Sequence, residues 1–244
     1  MVRKFKFIVL FFVTAFSAPL IFAAEKPTDK DKGKDLGAIP NYGISGSARL
    51  TSNFIERGLS MSDNHPAFNA LFLMHLGTQF KFGFWGSNIS NLTASDDNLW
   101  IKYVAQVFVD FQQSTKMIFY VHEDHYYKSG VRNGHRFGLK IDYARFTTQI
   151  ESQNNYEGTN ASAWYLNTKF NKKYSEKIGV ELSAGYTFQN STIYNNYLDL
   201  QGVVFYKPAP TFKTEFGITL PSNTTQFGSR SNLGYFIAVN FDYD

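Results

Sequence analysis

The sequence predicts an all-β fold, a transmembrane antiparallel up-and-down β-barrel of about 12 strands that follows an N-terminal signal peptide. Three observations carry this prediction. The first residues have the makeup of an export signal, apolar and polar residues alternate from Tyr42 almost to the last residue, and the connections between the alternating segments are short and long in turn. We therefore expect the chain in the outer membrane of a bacterial cell.

The N-terminus resembles a signal peptide. Arg3, Lys4 and Lys6 precede a short apolar run, and Ala23-Ala24 closes the segment before a polar stretch begins. A basic start, a short apolar centre and small terminal residues are typical of secreted chains. The alternative is an uncleaved anchor, although Pro19 interrupts the run. The expected organisation is a signal peptide over 1–24, a flexible charged leader over 25–41 and the barrel over 42–244.

Composition excludes several classes of function. The chain has no cysteine, so disulfides and thiol nucleophiles are excluded. The net charge is +4, and the three basic residues of the signal peptide reduce it to near +1 (4 − 3) in the remainder, which gives no case for nucleic acid as a partner. The chain contains 25 Phe and 15 Tyr, which favour strands and membrane interfaces.

The alternation has a period of two. In 177–188, Ile178 and Leu182 share one face, while Glu181 and Ser183 share the other. Because side chains alternate across a strand, each segment has one apolar face for lipid and one polar face for the lumen. Strands are predicted near 43–54, 66–77, 79–89, 98–112, 115–126, 135–143, 145–152, 162–172, 177–188, 197–206, 211–220 and 232–243.

The lengths of the connections indicate which end of the barrel faces the periplasm and which end faces the outside. Tight connections are predicted at 77–78, 112–115, 142–145, 172–176 and 206–210, and longer polar ones at 55–65, 90–97, 127–134, 153–161, 189–196 and 221–231. Outer-membrane barrels have short periplasmic turns and long external loops. A closed barrel also leaves no backbone group without a partner inside the bilayer.

The polar faces supply the candidate pore lining. The residues expected to face the lumen are Arg49, Asn53, Lys81, Lys102, Gln106, Asp110, Lys140, Lys169, Glu181, Asp199, Gln201, Lys213 and Glu215. A water-filled lumen lined in this way predicts a porin for passive diffusion of small hydrophilic solutes, with a weak anion preference because basic residues outnumber acidic ones. The alternative is a non-conducting structural or adhesion barrel that presents its external loops.

Arg57-Gly58 marks the first long loop as a candidate entrance. One interpretation is a loop folded back over the pore, with Arg57 paired to Asp63. The other is a structural turn, in which Gly58 allows positive φ and Arg57 ties down the loop. Trp85, near the outer end of the third strand, is expected to be an anchor at the membrane interface.

The densest titratable cluster is His122-Glu123-Asp124-His125. His122 and His125 point to opposite faces of a strand, so they make a poor metal pair, and no metal or cofactor is predicted. His122 and Asp124 share a face, which leaves a barrel hydrolase as a further alternative. Because no nucleophile motif accompanies them, the sequence predicts no catalytic residue and no enzyme.

Basic residues in the third outer loop suggest contacts outside the barrel. Lys128, Arg132, His135 and Arg136 are candidates for binding lipopolysaccharide phosphates or attracting anionic solutes, with ordinary solvated loop charge as the alternative. The expected partners are outer-membrane lipid and lipopolysaccharide, small solutes, and the barrel-assembly machinery.

One stretch of the chain carries a specific series of motifs. They are Thr51-Ser52-Asn53-Phe54-Ile55-Glu56-Arg57-Gly58-Leu59-Ser60-Met61-Ser62-Asp63, Pro66-Ala67 and Gly83-Phe84-Trp85-Gly86-Ser87-Asn88. This series resembles the TorF porins, a family that shows a T-S-D/N-Y/F-x-x-R-G-x-S-Q-S-D run, a Pro-Ala step and a W-G-S-N ending. Met61 stands where the family usually has Gln. The resemblance implies an outer-membrane channel and gives no specific substrate.

Overall fold

The fold comes from a computed structural model, which describes residues 42–90, 96–111, 115–223 and 225–243. The expected signal peptide (1–24) and leader (25–41) lie outside the described residues. Within the described part of the chain, twelve antiparallel strands close into one barrel, which confirms the predicted fold class.

The strands alternate with turns and loops along the chain. In order they are β1 (Tyr42–Thr51), β2 (Ile55–Glu56), β3 (Leu59–Ser60), β4 (Ala67–Leu76), β5 (Phe80–Asn88), β6 (Leu99–Phe111), β7 (Thr115–Tyr126), β8 (Gly134–Tyr143), β9 (Phe146–Gln153), β10 (Ala163–Lys173), β11 (Ile178–Gln189), β12 (Tyr197–Ala209), β13 (Phe212–Pro221) and β14 (Gly234–Tyr243). Two 3₁₀ helices, Tyr156–Gly158 and Thr225–Ser231, lie in the long loops. Neither helix has the length and apolar character that crossing a membrane requires, and the described residues contain no other.

The barrel closes between the first and last strands. Each barrel strand pairs with the next one in the chain, and β1 pairs both with β4 and with β14. The β1–β14 ladder runs from Gly46 opposite Tyr243 to Thr51 opposite Ala238. Closure leaves no exposed sheet edge, as a spanning β-structure requires. The two short strands β2 and β3 pair only with each other.

The apolar faces point outwards. On β14, Tyr235, Ile237 and Phe241 are 70%, 61% and 50% exposed, whereas Phe236 and Ala238, which alternate with them, are almost fully buried. The same alternation of exposed apolar and buried residues recurs around the barrel. A water-soluble sandwich would bury these apolar faces against each other. The exposed belt is therefore the surface that meets lipid.

The strand boundaries match the predicted segments closely, and the main difference is at the first loop. The first segment was expected to extend to residue 54, but β1 ends at Thr51. The backbone N–H of Ser52 still bonds to the carbonyl of Ile237 at 2.9 Å, and the chain then leaves the wall. The following residues form the hairpin of β2 and β3.

Candidate functional site

The connection between β1 and β4, residues 52–66, folds into the barrel, and we call it the lumen hairpin. Its turn uses left-handed backbone at Arg57 (φ 49°) and Gly58 (φ +77°). Its base is held by Asn53, whose Oδ1 accepts a hydrogen bond from Ser60 Oγ at 2.7 Å and whose Nδ2 donates to Asn64 Oδ1 at 2.9 Å. These local bonds hold the two sides of the hairpin together at its base.

The tip of the lumen hairpin packs against the far wall and loops. Leu59 is 2% exposed and lies in a cluster with Tyr156, Tyr197 and Phe227. A Cβ added to Gly58 would lie 2.5 Å from Cβ of Asp199 on β12. No side chain fits in that gap, so glycine allows the close approach as well as the positive φ.

Six charged side chains join the hairpin to the wall, and we call them the lumen ion network: Glu56, Arg57, Lys102, Asp124, Arg136 and Glu151. Arg136 on β8 is central. Its Nη1 lies 2.6 Å from Glu56 Oε1 and 3.2 Å from Glu151 Oε1, and its Nε lies 2.5 Å from Asp124 Oδ2. Arg57 pairs with Glu151, and Lys102 Nζ lies 3.4 Å from Glu56 Oε2. Charges of both signs therefore bridge the lumen at the height of the hairpin.

Aromatic side chains surround the lumen ion network and complete its hydrogen bonds. Trp100 Nε1 donates to Asp124 Oδ1 at 3.0 Å, and Tyr120 OH donates to Glu151 Oε2 at 2.8 Å. Lys102 Nζ lies 3.9 Å from the centroid of the Trp100 ring. Carboxylates that are removed from water keep their charge only when several donors are directed at them. The network therefore has the partners that buried carboxylates need.

Trp85 belongs to the same region, and its expected role as a membrane anchor is wrong. Its ring lies 5.3 Å from that of Trp100 and 5.6 Å from that of Phe54, inside the barrel. The outward position is taken by its neighbour Phe84, which is 51% exposed. The period of two gives Trp85 the lumen face, and the lumen hairpin supplies its apolar contact.

A second charged group, the mouth cluster, consists of Arg132, Glu157 and Arg230 on three different loops. Arg132 Nη2 and Arg230 Nη1 lie 2.8 and 2.9 Å from Glu157 Oε2. Arg230 Nε also donates to the Ser60 carbonyl at 2.9 Å. Burial alone would raise the pKa of Glu157, but the guanidiniums of Arg230 and Arg132 outweigh it and lower the pKa to about 2. The cluster thus ties the loops to the hairpin.

The basic third loop differs from the expectation. Arg132 and Arg136 were candidates for lipopolysaccharide phosphates, but they are 3% and 4% exposed. Each guanidinium pairs with buried carboxylates, Arg132 with Glu157 and Arg136 with those of the lumen ion network. Lys128 remains half exposed beside Asp96, with 3.6 Å between Nζ and Oδ2.

Beneath the hairpin, on the side of the short turns, the lumen contains a cavity of about 410 Å³. Phe54 and Ile55 of the hairpin form part of its lining. Glu215 pairs there with Arg49 at 2.9 Å and Lys213 at 2.6 Å, and Lys169 Nζ lies 3.1 Å from Glu181 Oε2. The cavity is therefore polar, with its charges largely in pairs.

The residues predicted to line the pore fall into three positions. Those on lumen faces below the hairpin are Arg49, Lys81, Gln106, Asp110, Lys140, Lys169, Glu181, Gln201, Lys213 and Glu215. Lys102 and Asp199 also face inwards, but the hairpin covers them. Asn53 lies within the hairpin itself. Whether these residues line a conducting path stays a prediction.

Two expected pairs differ in their contacts. Arg57 bonds to Glu151 instead of Asp63, because the tip points at the far wall while Asp63 accepts from Ser229 at 2.8 Å. His122 and Asp124 share the lumen face, as expected for the hydrolase alternative. Both oxygens of Asp124, however, are occupied by Trp100 and Arg136. Neither of these hydrogen bonds comes from a histidine.

Sequence reasoning missed Glu151, Glu157, Arg230 and Tyr165. Glu151 carries a usable signal, since it shares the inward face of β9 with Gln149 and is the only charged residue of that strand. Glu157 and Arg230 lie in loops, where no periodicity assigns a face. Tyr165 packs under the Arg57 guanidinium at 4.8 Å, a contact that only the closed barrel brings about.

Comparison with known proteins shows which solved structures the fold is similar to. No family model matches the chain, and no curated protein matches it significantly. Among solved structures, a KdgM porin superposes with a TM-score of 0.56 at 9% identity, covering 82% of this chain and 98% of that chain. A KdgM porin in complex with disordered oligogalacturonate gives a TM-score of 0.53 at 9% identity and the same coverage. The COG4313 outer membrane channel from Pseudomonas putida F1 gives 0.49 at 8% identity, covering 90% and 100%.

These likenesses and the lipid-facing belt agree on the architecture. The KdgM structures cover most of both chains, and at 9% identity they establish the fold. The closed barrel of twelve strands provides the lumen, and the lumen hairpin occupies its outer end. The chain has the fold of an outer-membrane porin.

Proposed function

We propose that this protein is an outer-membrane channel through which small hydrophilic solutes diffuse passively. The observation that carries the proposal is a closed barrel with an apolar exterior and a charged lumen, which holds a cavity of about 410 Å³ beneath the hairpin. Charged side chains with water-filled space between them suit ions and polar solutes. Its lipid-facing belt calls for outer-membrane lipid and lipopolysaccharide as surroundings, and for the barrel-assembly machinery during insertion.

The lumen hairpin acts as the constriction of this channel. It crosses the lumen, and a cavity of about 20 Å³ lies between its tip and the ion-paired wall. Solutes pass when the hairpin shifts against that wall, so size selection is set by the hairpin. A slight excess of basic over acidic lumen residues supports a weak preference for anions.

Conductance in planar lipid bilayers tests the proposal. The purified protein should give discrete current steps, and the reversal potential in a salt gradient should have the sign of weak anion preference. A variant in which residues 54–64 are replaced by a short Gly-Ser linker should give larger steps, because the constriction is removed. Absence of current from both proteins would overturn the proposal, and clear cation preference would remove its anion part.

A second candidate function is a non-conducting barrel that presents its loops. The hairpin fills the outer end of the barrel, and this favours the non-conducting barrel, since the lumen ion network and the mouth cluster both hold the hairpin in place. The two candidates differ in the linker variant. A channel conducts in both forms, whereas a structural barrel conducts only after its plug is deleted.

We also infer that the chain belongs with the TorF porins. The support is the run from Thr51 to Asp63, whose residues build the lumen hairpin and include the Arg57-Gly58 turn. The shared run would then encode a shared constriction. A TorF porin structure in which the equivalent run stayed outside the lumen would contradict this inference.

A further inference from the structure

The end of the barrel that carries the short turns has a cluster of basic side chains on one side. Five cations lie in or beside three neighbouring turns, and we call them the basic rim: Arg145, Lys172, Lys173, Lys177 and Lys207. Four of them are exposed, and Lys207 is half-buried. Glu176 is the only acidic residue in these turns. Five positive charges therefore stand against one negative charge.

Backbone hydrogen bonds place the three turns side by side. The N–H of Asn171, next to Lys172, donates to the Arg145 carbonyl at 2.8 Å, and the N–H of Lys207 donates to the Lys177 carbonyl at 2.7 Å. The basic rim thus runs over β9 to β12, which spans about 15 Å at about 4.8 Å between strands. The turn between β4 and β5, residues 77–79, has no charged residue. The positive charge is therefore concentrated in one arc of this end.

The neighbouring acidic side chains leave this excess in place. Among the described residues, none of the five cations takes part in an ion pair. Asp142 on β8 pairs with Lys140 at 3.7 Å, and Glu181 on β11 pairs with Lys169 at 3.1 Å. Asp242 borders the arc on β14, and counting it still leaves three positive charges in excess. Like charges held so close repel each other, and a negatively charged partner relieves that repulsion.

The basic rim borders the lipid-facing belt. Lys172 alternates with Asn171 and Lys173, which line the lumen, so its side chain is on the lipid face of β10. Its Nζ lies 4.9 Å from the centroid of the Tyr174 ring. The lower edge of the belt on these strands is formed by exposed apolar and aromatic side chains, those of Phe146, Ile178 and Tyr206. Lysine and tyrosine at the edge of an apolar surface direct their polar ends to the level of lipid headgroups.

We propose that the basic rim binds anionic phospholipids, with Arg145, Lys172 and Lys177 at the lipid phosphates and the acyl chains along the belt. Short turns of outer-membrane barrels face the periplasm, where the leaflet consists of phospholipids. Clusters of Lys and Arg beside a membrane surface recognise anionic headgroups, and each basic residue adds to the affinity. Lys173 and Lys207 strengthen the positive field. The proposal rests on the location in the outer membrane and does not depend on whether the barrel conducts.

Lipid titration of the detergent-solubilised protein tests the site. Native mass spectrometry with phosphatidylglycerol and phosphatidylcholine of the same acyl chains gives the affinity for each, and the wild type should prefer phosphatidylglycerol. Each basic residue near an anionic surface contributes about a fivefold factor, so Lys172→Gln/Lys177→Gln should reduce this preference about 25-fold. Lys81→Gln/Lys116→Gln is the matched control. It removes two charges from the same end, where both lysines contact the Phe108 ring in the lumen, and should keep the preference.

Crosslinking of the wild-type protein locates the bound lipid without a variant. Phosphatidylglycerol with a photoreactive group near its headgroup should crosslink to residues 172–178. The proposal is overturned if the crosslinks lie in the long loops, if the wild type binds both lipids equally, or if the preference survives in Lys172→Gln/Lys177→Gln. Binding to purified peptidoglycan that needs these two lysines, without a lipid preference, would assign the basic rim to the cell wall instead. A barrel that does not conduct but keeps the preference would contradict only the channel.

Discussion

Arg57 and Glu151 are 94 residues apart in the chain and meet across the lumen, where Arg57 Nη2 donates to Glu151 Oε1. Their side chains are only 7% and 5% exposed. Water competes poorly for a charge-assisted bond at such a buried place. The tip of the lumen hairpin is therefore attached to the opposite wall, and this attachment is the first one to test.

Replacing Arg57 should release the hairpin. In Arg57→Leu, Glu151 loses one of its two guanidinium partners, and the buried carboxylate is left under-compensated, at a cost of about 3 kcal/mol in the free energy of unfolding. We expect larger and more frequent current steps in planar bilayers and a lower urea midpoint. Arg57→Lys keeps the charge and should lie between Leu and wild type. Wild-type conductance in Arg57→Leu would show that the tip does not constrict the lumen.

Gly58 allows a matched pair of alanine substitutions. Gly58→Ala meets both a positive φ of +77° and overlap with Asp199, whereas Gly77→Ala meets a positive φ of +62° in open space. Backbone strain should cost about 1–2 kcal/mol in each. Overlap should add about 1–3 kcal/mol at Gly58 alone and displace the hairpin. Urea unfolding in detergent measures both, and equal losses would contradict the close approach.

The mouth cluster should be sensitive to acid. The pKa of Glu157 in the folded protein is about 2, below its usual value of 4.5. A depressed pKa contributes stability that is present above pH 4.5 and lost as the pH falls towards 2. We expect the Tm of the wild type to decrease as the pH is lowered through this range. Glu157→Gln should have a lower Tm at neutral pH and a flatter profile, and an equally steep profile would assign the acid sensitivity to other groups.

Two adjacent residues on β12 allow the same substitution to be compared on the lipid-facing and the lumen-facing side of the wall. Leu200 points outwards and Gln201 lines the cavity beneath the hairpin. Leu200→Lys should reduce the free energy of folding into phospholipid vesicles by about 2–4 kcal/mol, because it places a charge in the hydrocarbon layer. Gln201→Lys should cost far less. Similar costs for the two variants would mean that the exposed belt does not meet lipid.

Ion selectivity should respond to Glu215. This carboxylate neutralises both Arg49 and Lys213. Glu215→Gln leaves two lumen cations without their partner, so the reversal potential in a salt gradient should shift towards anions. Arg49→Gln should shift it in the opposite direction. Unchanged potentials in both variants would place the conducting path away from this cavity.

The barrel itself was predictable because its signals are local. A period of two assigns each residue of a strand to one face. The short connections indicate that consecutive strands are neighbours in the sheet. Arg49 and Glu215 could thus be placed in the lumen from the sequence alone, although β1 and β13 are not neighbours. Their pairing needed the closed barrel.

The contacts of the lumen hairpin were not predictable in the same way. Asp63 was expected to pair with Arg57 because it is near in sequence, whereas the actual partner depends on how the barrel places β9 opposite the first loop. Arg136 was grouped with the charges of the third outer loop although the predicted strand 135–143 included it, and in β8, which begins at Gly134, it faces inwards. Alternation gives the face of a strand, and the curvature of the barrel decides what lies across from it.

The position of the lumen hairpin between β1 and β4 has a consequence for biogenesis. The hairpin precedes most of the barrel in the chain, but its docking surface comes from β6 to β12 and from the loop before β14. The hairpin can therefore attach only when these later strands stand in their places around the lumen. A variant with a defective hairpin should thus still form the barrel wall in the membrane and lack only this last attachment.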